Sequence, residues 1–502
     1  MSRGIIMIVV CDFGGGLAQP LARQIRDLGV SCEVLPYFKV DDIIEKNPQG
    51  IIMIGGSQLS LGDEARQIDQ KIYQTGIPTL ALGYGVARLI LDQGGQVTDE
   101  EHIGGEQRIF FSSDTPFSES RDRNILIDGS FSFKSIPEGF SSWAFTEVHP
   151  MVLLANEEKN LFTLQSQRPT KELLKTFIFG IAKHEKDWNL EDFAHRKIAE
   201  IRELVGDKKV ICGLSGGVDS SVAALMVHKA IGDQLTCIFV DHGLLRKGER
   251  QEVMEDYGKS FAMKIICIDG EERFLSKLKD VSDPEKKRKI IGEEFINVFE
   301  EEANKLGDTS YLVQGTIYPD VVESGEGAGG NIKSHHNVGG LPERMDLELI
   351  EPLRELFKDE VRKVGEILGL EHHFVWRQPF PGPGLAVRCL GALTKERLDI
   401  LREADFIFRE EIAKAGLQEK IWQYFAVLPG IRSVGIKDHQ RTYFETIALR
   451  AVHSVDGMTS DWARIPFDTL ETISKRITSE VNGVNRVVYD ITTKPPSTIE
   501  WE

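Results

Sequence analysis

The 502-residue chain carries a formal net charge of −18, with 41% hydrophobic residues. That length calls for two or three domains, and that apolar share for ordinary globular cores. The charge argues against broad nucleic-acid or anionic-membrane binding, and no apolar run approaches the roughly 20 residues a membrane span needs. A cationic pocket in a single cleft is compatible with this balance.

In chain order, Met1–Val10 is apolar but short and is closed by Cys11-Asp12, so it reads as a buried first strand and not as a signal peptide. Residues 1–186 alternate short apolar runs (5–10, 51–54, 78–82) with helical patterns, which predicts an α/β layer. Residues 187–207 are charged and helical, and read as a connector. Between 208 and 378 a second α/β unit is expected, with strands at 209–214, 237–240 and 265–268 and a helix from Ser220. The cluster Pro379-Phe380-Pro381-Gly382-Pro383-Gly384 then punctuates the chain. Residues 379–502 mix helices with strands such as 486–491, a smaller α+β domain. Six cysteines (Cys11, Cys32, Cys212, Cys237, Cys267, Cys389) are scattered without a Cys-x-x-Cys pair. They read as reduced thiols of a cytoplasmic protein, not as a disulfide or zinc framework.

The chemistry concentrates in Ser215-Gly216-Gly217-Val218-Asp219-Ser220-Ser221. A Gly-rich turn between strand and helix aims several backbone N–H groups at one point, with the helix dipole behind them. The serine hydroxyls add donors. Asp219 beside phosphates makes sense as a ligand for Mg²⁺. The Gly-Lys-Ser/Thr of the common P-loop is missing. The septet resembles the pyrophosphate loop of the ATP pyrophosphatases, which transfer AMP to a carbonyl oxygen and release pyrophosphate.

From about 208 onward the chain is similar to the GMP synthetase family. The resemblance rests on the 215–221 loop, Val240–Arg246, Gln314–Asp320, Ile332–Pro342, Arg377–Leu385 and Lys494–Glu502, in family order. It implies that ATP adenylates O2 of xanthosine monophosphate (XMP), after which ammonia displaces AMP to give GMP. By the same resemblance Asp320, Glu323, Lys333, His335 and His336 belong to a lid over the adenylation site. Arg288, Gln423, Arg486, Lys494 and Glu500 would bind XMP, whose phosphate and acidic purine call for cations and amides. Arg288 stands among Lys286, Lys287 and Lys289, and His242 has no assigned role. Pairing into a homodimer through the C-terminal domain is implied by the resemblance alone.

Residues 1–185 resemble a class I glutamine amidotransferase, through Asp12-Phe13-Gly14, Arg23–Val30, Ile54-Gly55-Gly56 and Pro78–Gly85. That family needs a Cys nucleophile on a sharp turn, a His base and a carboxylate. Here the nucleophile position is Gly83, and Gln167 stands where the His is expected. The acidic partner is replaced within Arg168-Pro169-Thr170, and the oxyanion turn reads Gly55-Gly56-Ser57. Glycine cannot form a thioester. The expectation is therefore a glutaminase-inactive first domain, with ammonia taken free or from an external donor protein. Two alternatives stay open. One is a paralogue that adenylates a purine nucleotide for another nucleophile, such as a sulfur donor. The other is a non-catalytic nucleotide-binding regulator.

Overall fold

In the computed structural model the described residues are 7–502, leaving out 57–58, 60–64, 99–102, 113–114, 120–123, 128, 308, 324–346, 438 and 455–458, and the side chains of 119, 256–260, 322–323 and 373. One compact unit runs up to Phe193, and the second is built mainly from the chain beyond it.

The first unit holds a ten-stranded sheet among the described residues. Five neighbouring strands run parallel, in the order Leu161–Leu164, Thr79–Gly83, Gly50–Gly55, Ile8–Asp12 and Cys32–Pro36. Helices cover a parallel sheet on both faces, so its strands are continuous apolar runs, and Ile51, Ile52, Met53 and Ile54 are all fully buried. Antiparallel strands extend the sheet beyond Leu161–Leu164, from Leu153–Asn156 to Ser166–Arg168. The helix Ala18–Arg26 buries Leu21, Ala22 and Ile25 along one stripe, and Tyr84–Asp92 is buried over most of its surface, including Val86, Ala87, Leu89 and Ile90. The expected first strand is present as Ile8–Asp12, and Gly55 and Gly83 lie side by side at the strand ends. The charged connector forms the helix Leu190–Val205.

In the second unit a five-stranded parallel sheet has the order Ile265–Asp269, Leu235–Asp241, Lys209–Gly213, Thr309–Val313 and Glu348–Ile350. The chain moves outward on one side of Lys209–Gly213 and then crosses to its other side. That reversal makes a crevice at the carboxyl end of this strand, the usual ligand position in a doubly wound sheet. The C-terminal part pairs Gln423–Val427 and Arg432–Lys437 antiparallel, and Val484–Asp490 parallel, with the long strand Gln440–His453. Helices Lys395–Lys414 and Phe467–Glu480 complete it. A single apolar cluster takes in Ile211 and Val240 of the parallel sheet together with Leu385, Phe408, Tyr424 and Ile447. The Pro/Gly cluster leads into that shared core, with Leu385 N donating to Leu244 O at 2.8 Å.

Candidate functional site

The strand Lys209–Gly213 ends where Ser215–Gly217 turns into the helix Val218–Ile231. Gly216 sits at φ +75°, in the left-handed region that glycine adopts without strain. Gly217 precedes the helix with no side chain capping its amides, so the first-turn N–H groups stay available to an anion. Ser215 and Ser220 share a hydroxyl contact of 2.9 Å, and the Gly217 amide reaches Ser215 Oγ at a long 3.3 Å. The long amide bond is one that a phosphate oxygen can replace. Ser221 Oγ donates to Gly217 O at 2.7 Å and ties the turn to its helix.

Asp219 lies in the first turn of that helix. Its Oδ2 takes an ion pair from Lys358, on the helix Lys358–Leu368. Its Oδ1 is buried with no hydrogen-bond partner. Gln314 Nε2 and Thr316 Oγ1 are buried without partners as well. Gly315 between them packs on the helix start, where a Cβ would come within 3.0 Å of the Asp219 carbonyl carbon and the Ser220 nitrogen. Buried polar atoms are normally satisfied, so the orphaned Asp219 oxygen at this helix start marks a place for a ligand. An orphaned carboxylate oxygen beside anion-binding amides suits a divalent cation carrying phosphates. Asp219, with the Ser215–Ser221 loop, would hold Mg²⁺ and the pyrophosphate of ATP. Arg362, one turn after Lys358, is held below the usual arginine range by burial, against the pull of Asp219.

Arg377 fastens the loop from outside. One arm donates to Gly216 O at 2.7 Å, and the other pairs with Glu249. Glu249 is 3% exposed and also accepts the Arg246 amide at 3.1 Å. Arg246 is buried, stacks on Phe380 at 4.2 Å, and is lowered to about 9 by burial, with Arg388 adding to the effect, so it stays charged near neutrality. Asp405 answers this positive charge. Burial works to raise its carboxyl, yet Arg409, Arg246 and Arg388 hold it below the usual range.

Of the residues expected to bind the acceptor nucleotide, the structure brings together Gln423 and Glu500, 3.1 Å apart. Glu500 also accepts both arms of the buried Arg388, at 3.0 and 2.7 Å. Lys494 stands on the last segment, its backbone bridged to Ser460 by two hydrogen bonds. Arg486 is exposed on Val484–Asp490 and donates to Ser433 Oγ at 3.1 Å. Arg288 is half-buried and pairs with Glu285, one turn away. Its neighbour Lys287 is the buried member of the basic run, with Nζ on Ala386 O, Cys389 O and Glu502.

Asp320 accepts the Ile317 amide at 3.1 Å and so caps the short helix Tyr318–Glu323. The Glu323 side chain, Lys333, His335 and His336 lie outside the described residues, as does Ser57. His242 is buried against Phe274 and Phe295, and its Nδ1 accepts the Leu244 amide at 3.0 Å. Burial pushes it down to about 4, the signature of a neutral core histidine. The sequence alone left Lys358, Glu249 and Arg388 unmarked. Arg377 and Gln314 stood inside quoted strings, and their residue types there were the available signal.

In the first unit Gly83 has φ +52° and ψ −128° between strand Thr79–Gly83 and helix Tyr84–Asp92. This is a sharp strand-to-helix turn in backbone space open to glycine, the strand–turn–helix form of a nucleophile elbow. A Cβ on it would lie 3.1 Å from Gln167 Cγ and would collide with Gly55 O. Gly83 and Gln167 are thus neighbours at this turn. Nearby, Asp12 is raised by burial, against the Gly14 amide and Arg66.

Residues 9–166 match the family described as glutamine amidotransferase class-I, 189–273 match NAD synthase, and 410–501 match the GMP synthase C terminal domain. A parallel sheet with a pyrophosphate loop, joined to an amidotransferase-type unit, defines an ATP-dependent carbon–nitrogen ligase. The chain is 55% identical to the GMP synthase [glutamine-hydrolyzing] of Clostridium tetani over 99% of both chains. It is 54% identical to that of Clostridium acetobutylicum and 55% to that of Clostridium kluyveri, with the same coverage. The chain belongs to the GMP synthase family.

Proposed function

We propose that this ligase adenylates O2 of XMP with ATP, releasing pyrophosphate, and that ammonia then displaces AMP to give GMP. The observation that carries this reading is Asp219, with one oxygen on Lys358 and the other buried and unpartnered at the start of the loop helix. In the first step the purine oxygen attacks the α-phosphorus and the bond to pyrophosphate breaks. The loop amides and the Lys358 ammonium take up charge on the departing pyrophosphate. Mg²⁺, when bound, supplies further charge neutralisation there. Gln423 and Glu500 would hold the purine edge, and Lys494 and Arg486 the phosphate. Glu323, Lys333, His335 and His336 would close over the two nucleotides.

The relatives carry glutamine hydrolysis in their names. We infer that this chain departs from them, because Gly83 at the elbow offers no thiolate and Gln167 no base. Ammonia then comes free or from a separate donor protein. Free thiols at all six cysteines agree with a reducing, cytoplasmic setting, and no helix among the described residues is long and apolar enough to cross a membrane. A homodimer through the C-terminal domain is supported by Val434, Ile436 and Tyr443, exposed on adjacent strands.

AMP and GMP formation from ATP, Mg²⁺ and XMP, compared with no donor, ammonium chloride and glutamine, tests the reading. Product with ammonium and none with glutamine is expected. Product with glutamine would refute the inactive first domain. Failure with ammonium would refute XMP amination and redirect the search to other purine nucleotides and nucleophiles.

A further inference from the structure

We infer that Arg377 is a positioning residue for the pyrophosphate loop, held ready by the buried carboxylate of Glu249. The inference rests on the reading of Ser215–Ser221 as a pyrophosphate cradle. A cradle of amides works only if every peptide plane in it presents N–H, and not C=O, to the anion. The plane joining Gly216 and Gly217 is the vulnerable one. With Gly216 at φ +75°, no side chain resists its rotation, and a flip would turn a carbonyl oxygen toward the phosphates. Arg377 blocks that flip by donating to Gly216 O at 2.7 Å.

The second arm of Arg377 fixes the first. It pairs with Glu249, which is 3% exposed, begins the helix Glu249–Ser260 and accepts the Arg246 amide at 3.1 Å. A guanidinium can hold a carbonyl and a carboxylate at once because its donors are fixed in a planar fork. A lysine ammonium at the end of a flexible stem keeps the charge but not the fork. Arg246 runs on to the acceptor side, donating to Pro379 O at 3.4 Å, and Gln423 donates to that same oxygen at 3.4 Å. The loop is thus braced from the wall that carries Gln423 and Glu500.

Calorimetric titration of the full chain with inorganic pyrophosphate in Mg²⁺, and separately with XMP, tests this. Three variants are compared with the parent, namely Arg377→Lys, Glu249→Gln and the double change Arg377→Met with Glu249→Gln, which removes the buried charges together. In the folded variants the expected result is about a tenfold loss of pyrophosphate affinity for Arg377→Lys, a smaller loss for Glu249→Gln, and XMP affinity close to the parent's. A loss of both affinities in equal measure, or pyrophosphate affinity within about twofold of the parent, overturns the inference. If the parent itself does not bind pyrophosphate, the cradle reading fails and the positioning role falls with it. Binding by the parent that is lost in Asp219→Ala keeps the cradle standing whatever Arg377 does.

Discussion

Gly83 and Gln167 face one another at the end of the Thr79–Gly83 strand, with a Cβ at position 83 falling 3.1 Å from Gln167 Cγ. The backbone at Gly83 keeps the elbow shape, and a side chain there meets the Gly55 carbonyl oxygen. Gly83→Cys should therefore cost about 1–3 kcal/mol in denaturant unfolding. It should restore no glutamine hydrolysis, because the neighbouring amide of Gln167 cannot accept a proton from the thiol. Glutamine turnover by the single variant, measured as glutamate release, would show that another base reaches the elbow.

The pairing of Asp219 with Lys358 leads to a second expectation. Asp219→Ala should abolish XMP-dependent pyrophosphate release, since cation and phosphates lose their bridge. Lys358→Ala should lower it on the order of 10- to 100-fold, as loss of one charged donor from a preorganised site does. Single-turnover measurement of AMP transfer separates the two. Equal rates for Lys358→Ala and the parent would reduce that lysine to a surface counter-ion.

His242 supplies a pH dependence. Its folded value is lowered to about 4 by burial, against an unfolded value of 6.5. Between those two pH values the unfolded chain binds the proton and the folded chain does not, so stability rises with pH across that window. It is fully present above pH 6.5 and should fall by about 3 kcal/mol by pH 4. Urea titrations at pH 7, 5.5 and 4.5 check this. His242→Asn should flatten the slope in that window, and an unchanged slope would assign it to other groups.

Assembly is tested at Ile436, which is 82% exposed next to Val434 and the 62% exposed Tyr443. Ile436→Glu should convert a dimer to a monomer in sedimentation velocity while leaving the fold intact. A parent that sediments as a monomer would remove the homodimer, and a variant that stays dimeric would place its contact elsewhere.

The parallel strands were legible because their burial on both faces writes continuous apolar runs, as at Ile51–Ile54 and Cys237–Val240. The loop at 215–221 was legible because glycine, serine and aspartate at that spacing have few structural reasons to occur together. Lys358 was not, since a lysine opening an amphipathic helix looks like any solvated charge until that helix packs on Val218–Ile231 and brings it to Asp219. In the basic run 286–289, residue type could not distinguish the inward position from the outward one. The helical turn decides it, burying Lys287 against Glu502 and leaving Arg288 on Glu285. At the elbow the reverse held, because the substitution to glycine was plain in the sequence while the retained backbone shape was not.

The bond from Arg377 to Gly216 spans 161 positions in the chain. On a ribosome elongating at about 5–20 residues per second, the loop therefore waits roughly 10–30 s for its brace. The neighbouring strand Thr309–Val313 also arrives long after Lys209–Gly213, and such distant parallel pairings form slowly. A growing polypeptide thus cannot present a finished phosphate cradle until most of the second unit has been synthesised. Nucleotide capture becomes a late event in the protein's biogenesis, and the acceptor residues Gln423 and Glu500 leave the ribosome later still.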